Sequence, residues 1–476
     1  MTEILAPTPT GARPGDADPR TTADSGTRPE TGPRSKTTDA RPRTTEVGPP
    51  PPAGRPSPGR VVGLRCRACK AAVPVAPEYV CARCFGPLEP AYDDAAIRAT
   101  LSHEAIAARP PGIWRYLELL PLDEPPTRSL PVGSTPLQAA DRLGARLGLD
   151  RLWLKNDSVN PTLSFKDRVV AVATARALGF GFDTVACAST GNLAGATAAA
   201  AAAAGLRAFV FVPADLEPAK IRQAAAYGAT IVPVAGTYDR INRLSLEVAD
   251  ELGWAFLNVT LRPFYAEGSK TIAYEIAEQL GWRLPDVVVC PIASGSLFTK
   301  VAAGFGDLVR LGLVEDRPVR FIGAQPEGCA PVAAAWRTGA DRPIPVAQPR
   351  TIVKSLAIGD PADGIHALAL ARESGGSIEA VSDDATAEAI RLLARTEGVF
   401  TETAGGVTIA ALRQARERGL VRPDEEVVAL VTGNGLKTPE AVADPATEAL
   451  FVDGGIDPAK RIEPTLAAFE RWLAAR

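Results

Sequence analysis

From about Gly133 to Pro439, short runs of β-branched and other apolar residues alternate with longer stretches that read as helices. "DTVACAS" precedes "NLAGATAAAAAAA", "LRAFVFVP" precedes "PAKIRQAAAYG", and "TIVPVA" precedes "YDRINRLSLEVADELG". The alternation resumes with "AFLNVT", "GSKTIAYEIAEQLG", "DVVVCPIAS", "SLFTKVAAGFGDLVRLG", "VRFIGAQPE" and "EEVVALVTG". Strands this uniformly apolar are buried on both faces, and a helix after each one predicts an α/β chain with parallel sheets covered on both sides. Ligands then belong in the crevices beyond the carboxyl ends of the strands.

Three of those strand ends carry candidate chemistry. After "DTVACA" comes "STGNLAGA", which puts Ser189, Thr190 and Asn192 at a helix N-terminus, a cradle for a carboxylate. After "DVVVC" comes "PIASGSLFTK", where Ala293, Ser294, Gly295, Ser296 and Leu297 offer small side chains and backbone N–H groups opening a helix, a cup for a phosphate. After "VVALV" comes "TGNGLKT", with Thr432 at the strand tip. A lysine with unusual neighbours completes the set. In "NPTLSFKDRVVAV", Lys166 stands between Phe165 and Asp167 at the mouth of an apolar helix expected over about Asp167 to Leu178. The bland alternative is a surface lysine on the first turn of an amphipathic helix, pointing to water.

Size and composition narrow the class. A chain of 476 residues exceeds the usual limit of one core, so two or more domains are expected. A net charge of -3 with 46% hydrophobic residues gives no electrostatic reason to expect nucleic acid as a partner. The longest apolar run, Leu193 to Pro213, is broken by Gly205-Leu206-Arg207, so no membrane span is expected. Proline and charge occupy the N-terminal positions where a secretory apolar region would lie, and the expected compartment is cytoplasmic.

Residues 1–60 stand apart, with 13 of the 43 prolines and no aromatic residue. Such a segment cannot bury enough apolar area to offset its ordering entropy, and it is read as a disordered tail. Residues 61–95 follow as a ribbon-like segment with Cys66, Cys69, Cys81 and Cys84, two Cys-x-x-Cys pairs with eleven residues between them. Four soft thiolates so spaced suit one structural zinc ion, a closed site without an open position for catalysis. Two disulfides and a knuckle that has lost its metal are the rival readings. Cys187, Cys290 and Cys329 fall singly in strand-like segments and read as small buried apolar residues. Residues 96–450 form the catalytic region, and 451–476 a C-terminal helical segment.

Together "NPTLSFKDR", "STGNLAGA", "PAKIRQAAAYGA", "YAEGSKTIAYEIAEQLGW", "PIASGSLFTK", "GAQPEGCAPV" and "TGNGLKT" resemble the threonine synthases, among the fold-type-II pyridoxal-phosphate enzymes. The resemblance implies two doubly wound parallel-sheet lobes. It also implies that Lys166 binds pyridoxal 5'-phosphate covalently and that a partly desolvated Lys166, with lowered pKa, moves protons. Asn192 would meet the ring hydroxyl, Ala293 to Leu297 the cofactor phosphate, and Thr432 the pyridine nitrogen. Ser189 and Thr190 would hold the substrate carboxylate, and Asp167 and Arg168 would form a structural pair beneath the lysine. The implied reaction converts O-phosphohomoserine and water to threonine and phosphate.

Two departures from the family pattern bear on substrate choice. Leu163 stands where many relatives have glycine, and "LRPFYAEGSKT" offers Arg262 and Tyr265 where relatives hold substrate phosphate with an Asn and an Arg. Arg262, with Lys270 and Lys354 behind it, is therefore the expected second anion site. A threonine or serine dehydratase, an O-phosphoserine-using β-replacement enzyme and a non-catalytic regulatory paralogue remain as alternatives. The expected partner is a small-molecule substrate, and assembly into a homo-oligomer is left open.

Overall fold

The computed structural model describes residues 60–189, 191–214, 218–235, 238–453 and 455–475. The tail over 1–59 and Thr190 lie outside them. The chain enters through a small antiparallel sheet of β1 (Val61–Cys66), β2 (Ala72–Val73) and β3 (Leu88–Tyr92), ordered β2-β1-β3. Leu64, Cys66, Cys81 and Leu88 of this segment share one apolar cluster with Val169 and Phe264.

Two further sheets form the body. The larger contains β4 (Leu137–Ala139), β5 (Arg151–Asn156), β10 (Val287–Pro291), β11 (Arg320–Pro326), β12 (Ser377–Val381) and β13 (Glu426–Val431), in the order β12-β11-β10-β13-β5-β4. Every neighbouring pair is parallel except the edge pair of β4 with β5. The smaller is a parallel sheet of β6 (Thr184–Ala188), β7 (Arg207–Pro213), β8 (Thr230–Val234) and β9 (Ala255–Phe256), in the order β8-β7-β6-β9. The residue alternation of a strand explains why these segments are apolar throughout. On β10, Val288 and Cys290 join one core and Val287 and Val289 the other. On β6, Val185 and Cys187 face one layer while Ala186 and Ala188 face the opposite one. Cys187, Cys290 and Cys329 are all buried.

Sequence periodicity missed β12 and β5, and it gave "AFLNVT" more strand than its two residues. The C-terminal segment adds a two-strand hairpin, Phe451–Val452 with Gly455–Ile456, ahead of the helix Leu466–Ala474.

The helix that opens at Lys166 runs to Gly179, and from Asp167 through Ala177 it is buried on nearly every side. It touches the alanine-rich helix Asn192–Ala204, whose small side chains combine strong helix propensity with close approach. Gly205, with φ of 75°, ends that second helix in the left-handed conformation. Gly268 marks a close approach to the lysine helix, since a Cβ there would lie 2.4 Å from the Arg168 carbonyl oxygen.

Beneath Lys166 sits a buried ion cluster. Arg168 bonds Asp157 at 2.6 Å and Glu275 at 2.7 Å, while Lys155 reaches Glu275 at 2.6 Å. Thr135 joins through its hydroxyl, which donates to Asp157 and accepts from Arg168. Two cations and two carboxylates cancel, and the multiple hydrogen bonds offset the desolvation that burial imposes. Burial alone would raise the Glu275 carboxyl, but the charges of Arg168 and Lys155 hold it well below its ordinary value of 4.5. Glu275 therefore stabilises the fold above that ordinary value, and the contribution is lost as pH falls below it.

Asp167 belongs to a different contact: its carboxylate accepts from the backbone N–H and the hydroxyl of Thr162. The expected pairing of Asp167 with Arg168 is thus corrected, because neighbouring residues in the first helical turn point to different partners. Arg168→Met should lower unfolding free energy by about 3–5 kcal/mol in urea titrations, through the charges it leaves unbalanced. A loss under about 1 kcal/mol would place the weight of this region elsewhere.

Candidate active site

Lys166 occupies the first turn of its helix with its side chain turned inward. Its Nζ donates to the Tyr265 hydroxyl at 3.2 Å and lies 4.6 Å from the centre of the Phe165 ring. A partial opening onto the cleft remains, yet protein atoms crowd the amine. Desolvation lowers its pKa to about 8, with the nearby Glu402 carboxylate opposing the shift.

The loop ahead of Lys166 is held by the loop after β13. Phe165 N–H donates to the Thr432 carbonyl at 2.9 Å, and Asn434 N–H to the Leu163 carbonyl at 3.0 Å. Glu402 N–H donates to the Gly433 carbonyl at 2.9 Å, which ties a third segment to the same layer. Lys166, Thr432 and Glu402 are thereby fixed with respect to one another although they lie far apart in sequence. Leu163 takes φ of 64°, a left-handed conformation costing an ordinary residue roughly 1–2 kcal/mol. That backbone requirement accounts for a glycine in relatives more directly than side-chain bulk does.

Asn192 starts the alanine-rich helix, and its Nδ2 donates to both oxygens of Glu402, at 3.0 and 2.9 Å. Its donor is thus aimed at an anionic oxygen. Ser189 ends the strand side of the same turn and accepts from Gly191 N–H at 3.3 Å. The Thr432 hydroxyl is buried without a hydrogen-bond partner among the described residues, a costly state unless a ligand meets it.

The cup lies at the end of β10. The helix Ser296–Arg310 begins one residue after Gly295, whose φ of 92° turns the chain. First-turn N–H groups have no carbonyl within their own helix, so the segment Ala293 to Leu297 has the backbone form that suits an anion, although Ser296 N–H here donates to Ser294 Oγ at 3.4 Å. Behind it, Asp363 N–H donates to the Ser294 carbonyl at 2.8 Å, and a Cβ on Gly295 would lie 2.8 Å from the Asp363 carbonyl oxygen.

Residues 128–433 match the family model of the pyridoxal-phosphate dependent enzymes. The chain belongs to that family. It is 36% identical over 380 residues to the threonine synthase of Methanosarcina acetivorans, covering 80% of this chain and 93% of the relative. Over 386 residues it is 37% identical to the threonine synthase of Methanocaldococcus jannaschii, covering 81% and 95%. Diaminopropionate ammonia lyase from Escherichia coli shares the fold, with a TM-score of 0.56, 19% identity and coverage of 71% of this chain and 91% of that one.

The residues present fit the family's cofactor. The desolvated amine, the Thr432 hydroxyl without a partner among the described residues and the helix N-terminus at Gly295 suit a small ring bearing a phosphate at one end. Sequence reasoning missed Glu402. It is buried with a carboxyl pushed upward by desolvation, against the hydrogen bond from Asn192 and the charges of Lys437 and Lys166. An acid immediately before a helix, in "TETAGG", was the available signal.

The expected cations separate. Arg262 Nη2 pairs with Asp363 at 2.8 Å, and Arg262 lies one helical turn from Tyr265. Lys270 is buried against Glu267 at 2.7 Å and Asp307 at 3.0 Å. Its side chain is buried between two carboxylates, whereas that of Arg262 keeps 36% of its surface exposed, so the substrate-binding expectation for Lys270 is not carried further. Lys354 is exposed on the short turn Lys354–Leu356.

The rate at which apoprotein takes up pyridoxal phosphate should rise with pH and level off near the lowered lysine value of about 8. Glu402→Gln removes the charge that opposes this lowering, so the midpoint should move down. An upward move, or a wild-type midpoint near the ordinary 10.5, would contradict the desolvated amine.

Proposed function

We propose that this chain converts O-phosphohomoserine and water to L-threonine and phosphate. The observation that supports the reading is the desolvated Lys166 amine 3.2 Å from the Tyr265 hydroxyl, a residue whose helix also carries Arg262 one turn earlier. Pyridoxal phosphate, when bound, supplies the electron-accepting ring that stabilises negative charge developed on the substrate carbon chain.

The chain's own residues then have distinct tasks. Lys166 Nζ is the base that would remove the Cα proton and move protons at Cβ and Cγ. Tyr265 holds that amine through its hydroxyl. Ser189 and Thr190 bind the substrate carboxylate, Asn192 meets the ring hydroxyl, and Ala293 to Leu297 bind the cofactor phosphate. Thr432 would hold the pyridine nitrogen with a neutral hydroxyl rather than an acid. Phosphate leaves Cγ, which gains a proton, while Cβ loses a proton and gains the water-derived hydroxyl. Atoms balance without any redox partner.

Arg262 holds the substrate phosphate in this reading, with Lys354 an exposed and weaker candidate. The same reading places the enzyme in the cytoplasm. No helix among the described residues is long and apolar enough to cross a membrane. A dehydratase on the same fold needs no second anion site, so Arg262 separates the two activities.

Arg262→Ala should lower kcat/KM for O-phosphohomoserine by roughly 10- to 150-fold, the loss of one charge-assisted contact to a dianion. Cofactor affinity should change less than kcat/KM, because Arg67 still holds Asp363 behind the cup when Arg262 is removed. Steady-state kinetics with threonine detection check this, and an unchanged kcat/KM moves the substrate phosphate away from Arg262.

A further inference from the structure

The four cysteines meet at one point. Their sulfurs all lie within 4.8 Å of one another, with Cys66 and Cys84 at 3.5 Å and Cys69 and Cys81 at 3.7 Å. These separations are too long for a disulfide and match the edge of about 3.8 Å that a tetrahedron of zinc–sulfur bonds requires. Gly86 is needed for the second knuckle to close, since a Cβ there would lie 2.9 Å from the Cys66 sulfur.

The residue inside the first knuckle points away from the sulfurs and into the catalytic region. Arg67 Nη1 donates to Asp363 Oδ1 at 3.2 Å, while the other oxygen of Asp363 accepts from Arg262. Asp363 is the residue whose backbone backs Ser294 and Gly295 in the phosphate cup. A second grip comes from β3, where Glu89 accepts from Lys300 at 2.8 Å, one turn into the helix that opens the cup. Arg67 also lies 3.5 Å from Glu89, which joins the two grips. The ribbon thus reaches the cup helix and the segment behind its glycine at once.

We propose that the four cysteines hold a structural zinc ion whose task is to brace the cofactor-phosphate cup, with Arg67 as the positioning residue that transmits the restraint to Asp363. The proposal rests on the reading of Ala293 to Leu297 as the cofactor-phosphate site. Zinc fixes the backbone on both sides of Arg67, because Cys66 and Cys69 bracket it. Metal loss frees the knuckle, Arg67 leaves Asp363, and the cup loses its backing, so cofactor retention weakens before the chemistry does.

The test uses the full chain. Wild-type protein should contain about one zinc per chain, and zinc-loaded Arg67→Ala should bind pyridoxal phosphate roughly tenfold more weakly while keeping its zinc and its thermal stability. The bound cofactor's phosphorus resonance should broaden in that variant, and Arg67→Lys, which keeps a point charge for Asp363, should recover part of the affinity. Wild-type protein stripped of zinc by a chelator should weaken in the same direction. Iron or no metal in the wild type overturns the zinc centre. Unchanged cofactor affinity in zinc-loaded Arg67→Ala overturns the brace. A wild-type chain that takes up no pyridoxal phosphate overturns instead the cofactor reading beneath both.

Discussion

The buried contact of Arg168 with Asp157 and Glu275 is the constraint on which the site depends. It ties the first turn of the lysine helix to the end of β5 and to the helix Lys270–Gln279. An arginine with no exposed surface is tolerable only because five donors find fixed acceptors and Lys155 completes the charge balance. Two residues before Arg168, the Lys166 amine inherits that rigidity. A catalytic amine must be placed to within a fraction of an ångström, and a clamp directly beneath it supplies that placement.

Above the clamp the electrostatics reverse. The cluster around Arg168 is charged and balanced, whereas Lys166 has an aromatic ring, a tyrosine hydroxyl and one buried carboxylate around it. The lower layer stays ionised because its charges are paired, and the upper layer favours neutral groups because its charges are few. Glu402 mediates between the layers of function: it holds the Asn192 amide by hydrogen bonds and acts on Lys166 and Lys437 by charge. The Thr432 hydroxyl, buried beside this arrangement and without a hydrogen-bond partner among the described residues, leaves a donor and acceptor open to a ligand.

Much of this was legible in sequence because strand ends and helix starts are local features. The runs before Ser189, Ala293 and Thr432 are apolar on both faces, so their ends mark the cleft, and Lys166 stands where an apolar helix begins. The partners of the charges were not legible. Asp167 and Arg168 are neighbours in sequence yet bond Thr162 on one side and Asp157 and Glu275 on the other, and only the tertiary fold brings Glu275 there. Lys270 has one partner within local reach, Glu267 three residues before it, but the second, Asp307 on another helix, is invisible to local pattern. The left-handed Leu163 illustrates the same limit, since the missing glycine was visible but the φ that makes it matter was not.

The central claim is that one amine, Lys166, its pKa lowered by desolvation, moves protons along a substrate whose phosphate leaves from Cγ. Proton NMR of the reaction with O-phosphohomoserine in deuterated water tests it most directly. The account predicts threonine and phosphate in equal amounts, with deuterium at Cα and Cγ, and no product from Lys166→Ala. Formation of a 2-oxo acid in place of threonine, or threonine carrying no deuterium at Cγ, would contradict it.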